Sequence, residues 1–538
     1  MAFLKKIFLS FSTREKKIFL ASLAVFVLAL ITETAFAIHE HSVFVPIRGG
    51  SYHEGFVGQP IALNPVISDN SIDREMSALL FARLGTLLSG YDVSQDGKVY
   101  TLNLNENLSW SDGTPLTSDD VVFTIHTIQN PNADSPLAKN WQGVAVARVS
   151  QLQIQLTLPS PYAFFENNFL NLPVIPQHVY GSIPVENFHL SSYNLEPVGS
   201  GPYVFKSFSK RKDGFITEYH FVINKHYAGN TPYITDFYFD FFQDTQSLLG
   251  ALTRHDVNGF GTAAPLPFDA AQLKGLTINR IPAPNYYAVF FNQNNNPVLK
   301  DNSLREALIE AVDQNAIVQD VLNGDATPVY GPHLVFQNGT MTTGSSTTNI
   351  ADAASRIAAF KAKNKNEAIA FTLSVPDAPF LKQVAETLKK AWTDAGVDEV
   401  TIQTFNPNDP SDTTVSSRSY DALLFGNVFQ NPDDLFPFWH SSQRTYPGYN
   451  LALYANQGVD TAIETARETQ NNSTRTGAIA EEVAQITNDT PALFLFSLPY
   501  TYIHTPSLHG FSLQSITVPA DRFNQVEKWY VAQVRVLQ

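Results

Sequence analysis

The sequence predicts a mixed α+β chain of the α/β class, and three observations predict it. Apolar residues alternate with polar ones at Tyr100, Leu102 and Leu104, and again at Leu152, Ile154, Leu156 and Leu158, the period of a half-buried strand. Leu304, Ala307, Leu308, Ala311 and Val312 recur at helical spacing, as do Leu381, Val384, Ala385, Leu388 and Trp392. The composition is 44 % hydrophobic, 12 % aromatic and 16 % charged over 538 residues, which suits large cores and excludes a disordered chain. At roughly 150 residues per domain the length allows about three to four domain-sized units.

The N-terminal segment comes first. Lys5, Lys6, Arg14, Lys16 and Lys17 stand against Glu15, and Ile18–Ile31 is apolar apart from Ser22. Ala35-Phe36-Ala37 supplies a small-residue site, so residues 1–37 read as a signal peptide or an N-terminal membrane anchor. The apolar run of 14 residues is short of the ~20 that span a bilayer. It remains as an anchor if the helix borrows Phe36 to Ile38. Either way the rest of the chain is expected outside the cytoplasm, periplasmic or at the cell surface, anchored to the cytoplasmic membrane by residues 18–38 if uncleaved.

The body is acidic. Without the five cations and two acids of residues 1–37, 30 basic residues face 48 acidic ones, a net charge of −18. Such a chain is a poor partner for nucleic acid, whose phosphates require cationic surface. Zero cysteines exclude disulfides, Cys-ligated zinc, a Cys nucleophile and a lipid-modified cysteine. Ile38–Ser42 reads as a linker. Its His39-Glu40-His41 has too few ligands for a convincing metal site.

Farther on, Asp112-Gly113 is a turn pair, and Thr117 with Asp120 is the cap of a helix starting near Val121. Ser303 and Glu306 make a similar capping-box pattern. The second helix stops at Ala395-Gly396, and Val400 and Ile402 begin a strand. Asn338–Asn349 reads as a solvated loop. Enzyme motifs are missing: there is no G-x-x-x-x-G-K-[ST], no G-x-G-x-x-G after a strand and no H-E-x-x-H. Gly199-Ser200-Gly201 is no nucleophile elbow, because Val198 stands where glycine is needed. No cofactor and no metal are expected.

Trp110-Ser111-Asp112-Gly113-Thr114-Pro115-Leu116-Thr117-Ser118-Asp119-Asp120-Val121 resembles a segment of the family 5 extracytoplasmic solute-binding proteins, the peptide- and nickel-binding receptors of ABC importers. Further pieces follow in the family's order: Asn64-Pro65, Gly199-Ser200-Gly201-Pro202-Tyr203, Asn224-Lys225-His226-Tyr227, Arg305-Glu306-Ala307-Leu308, Ala311-Val312-Asp313, Asn323-Gly324, Tyr420-Asp421, Asn488-Asp489-Thr490-Pro491 and Phe494-Leu495-Phe496. The resemblance runs from about residue 45 to the C-terminus. It implies a two-lobed, periplasmic-binding-protein-like fold with a hinge and an inserted subdomain. Lobe one would be 45–290 plus 500–538, with the subdomain at about 81–199, and lobe two 291–499. The hinge would lie near Tyr286–Asn296 and Ser497–Tyr502.

Peptide receptors of this family carry a W-x-x-D-x-x-D-P segment whose first Asp holds the peptide's α-ammonium. Setting Asn431-Pro432 on D-P places Phe425 at the Trp and Val428 at that Asp. The resemblance thus implies no salt bridge to a free amine unless Asp433 or Asp434 substitutes. The candidate ligand-binding residues are Phe425, Asn427, Val428, Phe429, Gln430 and Tyr286. Asn427 and Gln430 would hydrogen-bond a neutral solute, and Phe425 and Phe429 would stack on it or pack in the core. The expected function is a monomeric receptor that delivers a peptide-like or other neutral solute to the permease of an ABC importer. A secreted hydrolase with an unrecognised site and a surface adhesion or chaperone-like protein are the alternatives.

Overall fold

The structure, a computed structural model, describes residues 10–266, 272–337, 340–342, 344–345, 348–365 and 368–537, without the side chains of 35 and 37–39. The side chain of His39 and parts of the 338–349 loop lie outside the described residues. What is described of that loop includes Thr340–Thr342, paired as a short hairpin with Val335–Gln337.

Thr13–Glu40 is one uninterrupted helix, and it holds no glycine or proline. Glu15 closes its N-terminus by accepting from the Ser12 backbone at 2.8 Å and the Ser12 hydroxyl at 2.7 Å. The 22 residues Thr13–Thr34 are long enough and, by mean hydropathy, apolar enough to cross a membrane, with none of the stretch buried, Arg14, Glu15, Lys16 and Lys17 at its start and Glu33 near its end. At about 1.5 Å per residue this reaches roughly 33 Å, enough for a ~30 Å hydrocarbon core. The hydroxyls of Thr32 and Thr34 donate to carbonyls of the preceding turn, which hides their polarity.

A two-stranded ribbon, Ser42–Pro46 against Gln533–Leu537, joins the chain's two ends. Beyond it lies a seven-stranded sheet in the order Thr277–Ile281, Tyr500–His504, Gly259–Thr262, Ser51–Val57, Asp236–Phe242, Ile216–Ile223 and Tyr203–Lys210. One face packs against an aromatic-rich cluster shared with a four-stranded sheet (Leu88–Val93, Val99–Leu104, Gln153–Thr157, Ala145–Ser150). The alternating strand residues Tyr100, Leu102, Ile154 and Leu156 are buried there.

The second large sheet has six strands: Thr327–Pro328, Ala492–Ser497, Asn285–Phe291, Ala422–Val428, Ala370–Pro376 and Glu399–Phe405. It is covered on both faces. Val289 and Phe291 meet the helices Asn302–Glu310 and Pro379–Asp394 on one side, while Tyr286, Ala288 and Phe290 face Trp439, Val459, Ile463 and Ile486 on the other. A strand buried on both faces reads as a continuous apolar run, as Tyr-Tyr-Ala-Val-Phe-Phe does.

The recurring motifs are structural. Gly199 and Gly201 let their loop lie against the end of helix Ser71–Leu80: an added Cβ would sit 1.9 Å from Leu80 O and 2.4 Å from Leu79 O. Arg305 is buried and donates to the carbonyls of Leu299, Lys300, Asp489 and Thr490, which ties Arg-Glu-Ala-Leu to Asn-Asp-Thr-Pro. Thr117 and Asp120 form the expected capping box, on a helix running Ser118–Gln129. The Ser303/Glu306 box does not form. Asp301 caps that helix instead, accepting from Leu304 N at 3.2 Å and from the Ser303 hydroxyl, and Glu306 pairs with Arg356. A carboxylate two residues upstream, at the N-cap, reaches the orphan N–H groups and takes the hydroxyl as well.

Candidate functional site

The chain crosses between the large sheets twice, side by side. Strand Thr277–Ile281 runs on through Pro282-Ala283-Pro284 into Asn285–Phe291, and Ala492–Ser497 runs on through Leu498-Pro499 into Tyr500–His504. This puts the first crossing just ahead of Tyr286, since Tyr286 already pairs with Asn427 inside the second sheet. Prolines carry no N–H, so the ladder between the two crossings is interrupted. The Asn285 side chain fills the gap: its amide donates to Leu498 O at 2.8 Å and its oxygen accepts from Leu498 N at 3.0 Å.

Next to this crossing, strand Ala422–Val428 ends and a loop leads to the short helix Phe436–Trp439. The loop starts at the crossing, where Phe429 N donates to Pro284 O at 2.8 Å. Its far end touches the four-stranded subdomain. Gln430 Oε1 accepts from Asn140 Nδ2 at 3.1 Å, and Asp434 Oδ2 accepts from the Tyr162 hydroxyl at 2.7 Å. Arg467 lies 3.4 Å from the other Asp434 oxygen, with its guanidinium 4.6 Å from the Tyr162 ring and 4.1 Å from the Phe436 ring. Ala163 N donates to Arg467 O. Burial, then the charge of Asp434, raises the Tyr162 hydroxyl well above its ordinary range, so it stays a donor.

The six sequence-predicted residues separate along this loop. Tyr286 and Phe429 are buried and pack as a tilted ring pair, 5.3 Å between centroids, in the core of lobe two. Asn427 is buried and its amide reaches the Tyr286 hydroxyl at 3.4 Å. Phe425 is half-buried beside Phe405. Val428 is 62 % exposed, and Gln430 is exposed at the contact with Asn140. The two acids that follow are already engaged: Asp433 faces His333 at 2.8 Å, and Asp434 is held by Tyr162 and Arg467.

Sequence reasoning missed Asn285, Tyr162, Arg467 and Glu482. A polar Asn between a Pro-Ala-Pro stretch and an apolar strand was a usable signal for the first. Tyr162 and Arg467 carried none, because they meet only in the fold. Glu482 is buried beneath the loop with neither carboxyl oxygen hydrogen-bonded among the described residues. Burial, with Asp434 and Asp433 nearby, pushes it up to about 9. It is therefore neutral at pH 7. Among the described residues no group of three His, Cys, Asp or Glu is placed to hold a metal ion.

A protein-family model, the bacterial extracellular solute-binding proteins, family 5 Middle, matches residues 85–448. Protein XP55 of Streptomyces lividans is 26 % identical over 487 residues, 86 % of this chain and 86 % of its own length. The oligopeptide-binding protein AppA of Bacillus subtilis (strain 168) is 23 % identical over 531 residues, 91 % of this chain and 93 % of its own. The crystal structure of the ABC transporter substrate-binding protein CtaP from Listeria monocytogenes superposes with a TM-score of 0.77 at 24 % identity, covering 90 % of this chain and 99 % of that one.

Proposed function

The chain belongs to the bacterial extracellular solute-binding proteins of family 5, and on that premise we propose which solute it takes and how it is held at the membrane. It is a solute-binding receptor of the class that works with ABC importers, in a family made up of non-enzymatic solute-binding proteins. The proposed solute is peptide-like and neutral at its N-terminal end, delivered to an ABC permease. The observation that carries this is Val428, an exposed aliphatic side chain where the resemblance expects the partner of an α-ammonium. Desolvating an ammonium costs several kcal/mol unless a carboxylate offsets it. Asp433 and Asp434, the acids within reach in sequence, already have side-chain partners, His333 for the first and Tyr162 with Arg467 for the second. The oligopeptide-binding name of the AppA relative supports the peptide-like class.

Calorimetric titration of matched free-amine and N-acetylated peptides, with oligosaccharides alongside, tests this. The acetylated peptide is expected to bind at least as tightly as its free-amine twin. Tight binding of the free-amine peptide, lost on acetylation, contradicts it. Native mass spectrometry of freshly purified protein identifies any solute retained.

On this reading lobe one comprises about 45–284 plus 500–538, with the subdomain at 81–199, and lobe two about 285–499; the inner edge moves ahead of the sequence boundary at 290 because Asn285–Phe291 belongs to the second sheet. Sheet membership supports inner boundaries at Pro282–Pro284 and Leu498-Pro499, where Asn285 clasps the crossings. Lobe two would rotate there, closing the 428–436 loop over the solute against Tyr162 and Asn140. We also read Thr13–Thr34 as a retained anchor. Its helix continues without a break through Ala35-Phe36-Ala37, whereas a cleavage site needs an accessible, extended stretch, and no cysteine can carry a lipid. N-terminal sequencing decides: a start at Ile38 means release, an intact N-terminus an anchor.

A further inference from the structure

The ribbon that follows the N-terminal helix is exposed along its second strand and half-buried along most of its first. In the register Val43↔Val536 and Val45↔Val534, four valines share one face. Phe44 and Leu537 stand on the other, at 59 % and 64 % exposure. Every residue of Gln533–Leu537 is exposed. Val43 and Val45 are half-buried and Val534 and Val536 are 42 % and 37 % exposed, and an isolated two-stranded ribbon is marginal in water, so this one gains from a cover.

What covers it is argued from continuity. Only Ala35–His41 separate the span-length stretch from Ser42, and Ala35–Glu40 are helical. At about 1.5 Å per residue those six helical residues rise roughly 9 Å, close to the ~5–8 Å depth of one headgroup layer. The ribbon is therefore delivered at the outer edge of the headgroups. Hydrogen bonding carries on without a gap into lobe one, where Ile47 N donates to Ala532 O at 3.1 Å. Charge agrees. The body is acidic, but alongside Glu40 two arginines lie at the ribbon: Arg48 is exposed, and the Arg535 guanidinium sits 5.4 Å from the Phe44 ring. An aromatic–arginine pair on the ribbon suits a surface of lipid phosphates.

We propose that the ribbon of Ser42–Pro46 and Gln533–Leu537 is a membrane-seated collar, lying on the headgroup layer of the bilayer that holds the Thr13–Thr34 helix. This rests on the retained-anchor reading. The collar pins the chain's C-terminal strand to its anchor. It holds lobe one against the lipid surface rather than on a free tether.

The absence of native cysteine gives a direct test. A single Val536→Cys, and separately a Ser411→Cys in the distant exposed loop at 406–412, is labelled with an environment-sensitive fluorophore in the full chain. Each is reconstituted into phosphatidylcholine–phosphatidylglycerol vesicles with and without lipids spin-labelled near the headgroup end of the acyl chain. Intact mass and alkaline extraction first establish that the chain is anchored. The label at 536 is expected to be blue-shifted and to lose most of its emission to the spin-labelled lipid, while the label at 411 does neither. An anchored chain whose 536 label behaves like the 411 label overturns the proposal. So does self-quenching at 536 that ignores the lipid label, which assigns the ribbon to a second copy of the chain. A chain that starts at Ile38 and is extracted removes the anchor reading and the collar with it, and the mass identifies that case. A Phe44→Cys label, on the opposite face, gives the same reading if Val536→Cys folds poorly.

Discussion

Each lobe buries glutamates, and the two lobes accommodate them in opposite ways. In lobe one Glu54 and Glu75 are held by Arg522, which is itself fully buried. Arg522 donates to Glu54 Oε1 at 3.0 Å from Nε and 2.8 Å from Nη2, and to Glu75 from Nη1. The Tyr502 hydroxyl donates to the other Glu54 oxygen at 2.8 Å. Burial pushes both acids upward and Arg522 pulls against it. In lobe two Glu482 has no such partner and is neutral instead. The difference teaches where the molecule is fixed and where it is adjustable. The ionic knot fastens the C-terminal segment to the sheet beside the crossings, and Arg83–Asp521 extends it to the subdomain at 2.7 Å. The unpaired acid lies under the loop that meets the opposite lobe.

The largest effect is expected from Arg522→Leu. It leaves two acids buried without a counter-charge and should cost about 3–5 kcal/mol, read as a lowered midpoint in denaturant. A loss within experimental error of zero would place the stability of lobe one elsewhere.

Glu482 should respond to pH rather than to mutation alone. Its folded-state pKa, about 9, lies above the unfolded value, so its favourable contribution is complete below about pH 4.5 and is lost as pH rises toward 9. The protein should therefore lose stability across that window by on the order of 1 kcal/mol per pH unit. Glu482→Gln should flatten the curve there. An unchanged slope in the variant breaks the contrast between the lobes.

Asp434→Ala removes the acceptor that joins Tyr162 and Arg467 across the lobes. Hydrogen bonds to charged groups contribute about 1.5–3 kcal/mol, and part of this is replaced by water at an interface. The expected result is a shift of the solute-free population toward open forms, seen as a larger radius of gyration, with the unfolding midpoints of the separate lobes barely moved. Asn285→Ala is smaller, about 1 kcal/mol, and sharpens the same picture by loosening the crossings without touching the loop.

The lobes also differ in how well their sequences announce them. Lobe two is built from helices whose apolar stripes fall at regular spacing, so Leu304–Val312 and Leu381–Trp392 were readable, as was the stop at Ala395-Gly396. Its cap was misread because Asp301, two residues before Ser303, has the better reach. Lobe one's motifs were recognisable but their reasons were not. That Gly199 and Gly201 exist to pass under Leu79 and Leu80, or that Arg305 is closed by the carbonyls of Asp489 and Thr490, depends on residues more than a hundred positions away. The interlobe bridge was illegible on the same ground. The N-terminal run of 14 apolar residues understated a helix that continues to Glu40, because threonine hydroxyls bonded within the helix count as polar in a sequence but not in a bilayer.

On the reading proposed above, lobe two closes on lobe one over a solute, turning at the crossings clasped by Asn285. Small-angle scattering with and without saturating solute, saturation being confirmed by calorimetry on the same sample, tests it most directly. The account predicts a smaller radius of gyration with solute, and a larger change for Asp434→Ala, which starts more open. An unchanged profile at demonstrated saturation, in both proteins, would contradict it.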